Sequence, residues 1–107
     1  MKYEINTPLV FNVTESEGRY VARCDALAQV TEGTSCNDLL ESVREMVRMT
    51  FNDTFLCDDT IDYLEGRSLS FTVIRDAESV IVYDFSIKYP EHLGENNITL
   101  REVVVQE

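Results

Sequence analysis

From Leu9 to Cys24 apolar and polar positions alternate along the chain. Leu9, Phe11 and Val13 fall on one side of an extended segment and Val10, Asn12 and Thr14 on the other, the period-2 pattern of a half-buried strand. Glu15–Ser16–Glu17–Gly18 then supplies a polar turn. After it Tyr20, Ala22 and Cys24 alternate with Val21, Arg23 and Asp25, and a third short strand is expected over 28–32, ended by Gly33. The first third therefore predicts a three-stranded antiparallel meander.

At Thr34 the period changes. Leu39, Leu40, Val43, Met46, Val47, Phe51 and Phe55 recur at spacings of three and four, one apolar stripe of a helix over about 35–53. Thr34 or Ser35 can cap it, because a side-chain oxygen there accepts from an otherwise unpaired backbone N–H. Asp38 lies in the first turn, where the helix dipole favours negative charge. Glu41, Arg44, Glu45, Arg48 and Asn52 take the polar face. Such a stripe must be buried, and the sheet is the surface at hand.

The second half reads as a short helical turn before Gly66, a strand over 68–75 and a turn at 76–79. A longer strand follows, in which Ile81, Tyr83, Phe85, Ile87 and Tyr89 share one face, stopped by Pro90. After a loop, 98–107 forms a last strand. The fold expected is α+β: an antiparallel β-sheet, β-β-β-α and then further strands, with one main amphipathic helix packed on it. At 107 residues this is a single domain, 1–107, with no internal repeat. Long alternating strands near a terminus tend to form sheet edges, so a homodimer is expected.

Charge narrows the function classes. Twenty acidic residues stand against nine basic ones, a net charge of −11. Binding nucleic acid directly requires cations that replace phosphate counterions, and no Lys/Arg cluster occurs. An anionic membrane surface would repel the chain, and no apolar run approaches the ~20 residues that span a bilayer. The acidity instead suits a basic protein partner. The start, Met1 to Val13, shows no basic region followed by an apolar run. Cys24, Cys36 and Cys57 are odd in number and widely spaced, which gives no disulfide framework or zinc motif. A reducing, cytoplasmic location is expected.

No catalytic constellation can be assembled. His92 is the sole histidine, and it falls in a loop near Pro90 and Gly94. Asp58, Asp59 and Asp62 form the densest acidic cluster and read as a solvated helix start rather than metal ligands. No phosphate-binding glycine loop is present. Neither an enzymatic activity nor a cofactor is expected.

One resemblance bears on function. Tyr20–Val21, Asp25, Thr31-x-Gly33–Thr34, Asp38, Leu39 and Val43 stand where HicB-type antitoxins carry an aromatic-Val step, an aspartate, a Thr-x-Gly turn and an acidic helix start. The stretch is similar to the N-terminal domain of that family over about residues 8–53, with 54–107 as a strand-rich extension. It carries Ala26–Leu27–Ala28 where the family has a Pro-Gly pair after the aspartate. The DNA-binding segment of full-length antitoxins has no counterpart here. The resemblance implies a partial RNase-H-like fold without nuclease activity that occludes a small basic RNase toxin. Asp25, Glu32, Glu41 and Glu45 are the acids expected to meet that partner. A second expectation is a nucleic-acid mimic that inhibits a defence nuclease, which needs its carboxylates gathered on one surface. A small-ligand or metal-dependent enzyme is a third.

Overall fold

The computed structural model describes residues 1–106. Seven strands form one mixed sheet, and two helices cover one of its faces. The meander is present: β2 (Leu9–Ser16), β3 (Arg19–Cys24) and β4 (Gln29–Gly33) pair antiparallel in sequence. A strand not anticipated, β1 (Lys2–Ile5), precedes it. Helix α1 (Cys36–Leu56) follows, then α2 (Thr60–Gly66), β5 (Phe71–Ile74), β6 (Val80–Lys88) and β7 (Ile98–Val105).

The sheet is not wholly antiparallel, as the alternation had suggested. Both β1 and β2 run parallel to β6, with Tyr3 opposite Ile81 and Phe11 opposite Ile87. The cause is the connection: α1 carries the chain back over the sheet, β5 runs antiparallel to β1, and the turn over 75–79 reverses the chain so that β6 enters in the direction of β2. β1 and β2 lie end to end along one side of β6, and the register shifts by two residues across Asn6–Pro8. Ser70 secures this kink. Its carbonyl accepts from the Asn6 and Thr7 amides, and its amide donates to Thr7 Oγ1 at 2.8 Å. β7 covers the other side of β6, antiparallel over eight residue pairs.

The expected stripe of α1 is the core. Leu39, Val43, Val47 and Phe51 are fully buried, and they meet Phe11, Phe85, Ile81 and Ile87 from the sheet. Phe51 stands edge-on to Tyr83, ring centroids 5.3 Å apart, and Phe11 edge-on to Phe85. Such pairs add roughly 0.5–1.5 kcal/mol each beyond burial. Ser35 is the N-cap, its Oγ accepting from the Asp38 amide at 3.1 Å. Asp38 reaches back to the Thr34 amide at 2.8 Å, so two orphan donors are satisfied reciprocally. The helix runs three residues beyond the expected end. There Thr54 Oγ1 donates to the Phe51 carbonyl and meets Thr60 Oγ1 at 3.0 Å, tying α1 to α2 inside the core. Cys24 is fully buried and behaves as a small apolar side chain.

Gly33 sets how closely α1 can approach β4. A Cβ there would lie 2.5 Å from the Leu39 amide nitrogen and 2.7 Å from its Cα. Backbone atoms cannot yield, so Gly33→Ala forces the helix off the sheet. A loss of about 1–3 kcal/mol is expected, read as a lower urea midpoint. Gly66→Ala meets nothing within 4 Å at the end of α2 and is expected to be neutral or to stabilise by about 0.5–1 kcal/mol. Equal effects of the two changes would contradict the close approach.

Burial also fixes an alkaline limit. Desolvation pushes the Tyr83 phenol up to about 12, with Glu102 nearby adding to the rise. Desolvation likewise raises Tyr89, whose hydroxyl is buried beside Cys36 without a well-formed hydrogen bond. A phenol that is harder to ionise when folded contributes stability below its unfolded value near 10 and loses it as pH climbs toward the folded value. The urea midpoint should therefore hold to about pH 10 and fall between 10 and 12. Tyr83→Phe should shallow that fall, and an unchanged slope would remove Tyr83 as its cause.

Candidate partner-binding surface

The four acids singled out from the sequence do not converge. Glu41 and Glu45 lie one turn apart on the exposed face of α1, as expected. Glu41 makes an i,i+3 contact with Arg44 at 3.3 Å, while Glu45 makes no ion pair among the described residues. Glu32 is on the opposite side of the sheet. It sits on β4 opposite Val21 and bridges to Arg19 at 2.9 Å, so its charge is answered locally. Asp25 lies at the far end of β3, in the turn into β4, where its carbonyl accepts from the Ala28 amide.

What the fold does gather is a charged layer. From Asp38 to Glu65 the two helices and their link carry eight acids and two arginines, all exposed. The acids are Asp38, Glu41, Glu45, Asp53, Asp58, Asp59, Asp62 and Glu65. Neither helix has a basic residue in its last turn, so the negative ends of both dipoles add to the same potential. Asp59 stands at the N-cap position of α2 without a capping hydrogen bond, and Asp62 lies in the first turn. Among the described residues no three His, Cys, Asp or Glu side chains are placed to hold a metal ion.

The uncovered sheet face is the reverse. Pleat parity puts Lys2, Arg19, Arg23, Lys88 and Arg101 there, five of the nine cations in the chain. The three acids of that face are all bridged: Glu4 to Lys2 at 3.1 Å, Glu32 to Arg19, and Asp84 to Arg101 at 3.4 Å. Arg23 and Lys88 remain, both opposite Asn12. The acidic surplus is therefore concentrated away from this face.

At the C-terminal end of α1 the acidic layer folds into an open cleft of about 470 Å³. Asp53, Cys57 and Asp59 border it from the helices, and Ala28 and Gln29 from the β3–β4 turn. Arg67 closes one wall, its guanidinium donating to the Ala26 carbonyl at 3.1 Å and more weakly to that of Asp25. The cation is thereby occupied, and the exposed polar side chains of the rim are the Asp53 and Asp59 carboxylates and the Cys57 thiol. Ala28 holds a left-handed φ of 53° to make this turn, a conformation that glycine would adopt at less cost. Sequence spacing singles out Asp59 only within the cluster of Asp58, Asp59 and Asp62, and does not connect it to Asp53, six residues earlier. Only the α1–α2 corner brings them to one rim.

No family model, curated protein or solved structure matches the chain. Among the described residues no helix is long and apolar enough to cross a membrane.

Proposed function

We propose that the chain is a non-catalytic protein-binding module that uses its acidic helical layer to cover a basic, nucleic-acid-binding surface on another protein. The observation that supports this reading is the segregation of charge. Eight exposed carboxylates crowd the helical layer, while the opposite face has every acid bridged. A predominantly acidic surface of this kind steers a basic partner and is mispaired against an acidic one. Within that reading the partner is a small basic RNase toxin and the chain a HicB-like antitoxin. Residues 8–53, the stretch that carries the resemblance, hold the meander β2–β3–β4 and the capped helix α1, and this β-β-β-α order is what supports the reading. Glu41 and Glu45 remain in the proposed interface, and Asp53, Asp59 and Asp62 extend it toward the α1–α2 corner. Glu32 does not, because its carboxylate is on the other face.

One observation favours the second reading as well, an acidic mimic that inhibits a defence nuclease. The carboxylates gather on one layer, and α1 alone spans about 30 Å at 1.5 Å per residue, a length over which duplex DNA presents a continuous row of phosphates. The two readings share the surface and differ in the partner.

Glu41→Lys with Glu45→Lys reverses charge at the centre of the layer without touching the core. The double variant should bind a small basic RNase toxin about tenfold or more slowly at low salt, with the difference shrinking as salt rises. Glu32→Lys should bind like the parent chain. Equal association rates for all three would remove the helical layer from the interface. Neutralisation of a large nuclease but of no small RNase would select the mimic reading.

A further inference from the structure

We propose that β7 is a self-association edge, at which a second copy of this chain adds its own β7 antiparallel about a two-fold axis at Val103. The sheet has three open edges: β4 with five residues, β5 with four and β7 with eight. Short strands and inward charges are how natural sheets keep edges from pairing. β4 and β5 are short, and α1 packs along β4. β7 has no proline, and its second half is Val103–Val104–Val105 on both sides of the pleat.

The exposed apolar surface concentrates at the same edge. Val103 and Val105 are 54% and 52% exposed on the open face, and Leu56, at 80%, is the most exposed large apolar side chain among the described residues. Leu56 lines a groove with Phe55, Asn52 and Gln106 on the helix side of the end of β7. Apolar side chains thus flank the free backbone edge from above and below.

Charge permits a second copy as the occupant and narrows the register. Two copies each carrying −11 repel through most of their surfaces. The segment 98–106 holds one base and one acid and is neutral. A two-fold axis perpendicular to the sheet keeps matching faces together only when it passes through a residue. Placed at Arg101 or Glu102 it would set identical charges directly opposite one another, which destabilises a strand pair. Placed at Val103 it sets Val103 opposite Val103, Arg101 opposite Val105 and Glu102 opposite Val104. It also brings Leu100 of the second copy beside Gln106, at the groove that Phe55 and Leu56 line. A closed, isologous dimer results, with one continuous sheet.

The test is mass by sedimentation together with cysteine pairing, in a Cys57→Ser background that removes the exposed native thiol. The parent chain should sediment as a dimer of 12.3 kDa subunits and tighten with added salt, since screening relieves the net repulsion. Val103→Cys should oxidise to a covalent dimer, because facing residues of an antiparallel pair lie within disulfide reach. Thr99→Cys, two positions of the same face further from the proposed contacts, should not. Val103→Lys with Val105→Lys should yield a monomer whose circular dichroism matches the parent. A parent chain that stays at 12.3 kDa at every concentration overturns the proposal. So does a dimer that the lysine pair leaves intact, or cross-linking that is no faster at 103 than at 99.

Discussion

The contact between α1 and the sheet is the constraint from which the rest of the structure follows. A stripe of Leu39, Val43, Val47 and Phe51 must leave water, and together these side chains are worth several kcal/mol of burial at roughly 1.5–3 kcal/mol each. Gly33 lets the helix settle against β4, and the Ser35 and Asp38 caps fix where it starts. Once α1 lies across the meander, the chain leaves it at the far end and must return. It passes through β5, antiparallel to β1, and reverses over 75–79, so that β6 enters beside β2 and parallel to it. β6 is then flanked on both sides, and Ile81, Tyr83, Phe85, Ile87 and Tyr89 close the core from below.

The same packing produces the charge asymmetry. A helix that buries one stripe presents the other, and here the outward residues of α1 and α2 are mostly carboxylates. The sheet face away from the helices has no such layer. Its pleat alternates Lys, Arg, Thr and Val with a few acids, and each acid has a cation within reach. Helical layer and sheet face are therefore two surfaces of opposite character, separated by the thickness of a sheet. The proposed partner contact uses the first. The proposed self-association uses neither, but the neutral strand edge between them. Both can be satisfied at once, and they respond to salt in opposite directions.

How much of this could be read along the chain depended on whether the signal was local. The meander and α1 follow from short-range periodicity, and both lie where periods of two and 3.6 placed them. The caps were legible for the same reason. Parallel pairing was not, because alternation in Ile81–Tyr89 says which face is buried and nothing about the direction of a neighbour some seventy residues away. β1 has four residues and no turn signal of its own, so its existence depends on β5 and β6 being there to pair with it. Among the candidate acids, Glu41 and Glu45 were placed by helix spacing. Asp25 and Glu32 were chosen as strand-end charges, and such a choice ignores side. Glu32 is one residue from the buried Gly33, so pleat parity turns it to the open face.

Carbodiimide footprinting of carboxylates reads the central claim most directly. The chain would be labelled free and after mixing with a small basic RNase toxin, and each Asp and Glu scored by mass spectrometry. Protection is predicted at Glu41, Glu45, Asp59 and Asp62, with Glu4 and Asp84 on the open face labelled alike in both states. Protection confined to Glu4, Glu32 and Asp84, with the helical layer labelled as in the free chain, would contradict the account.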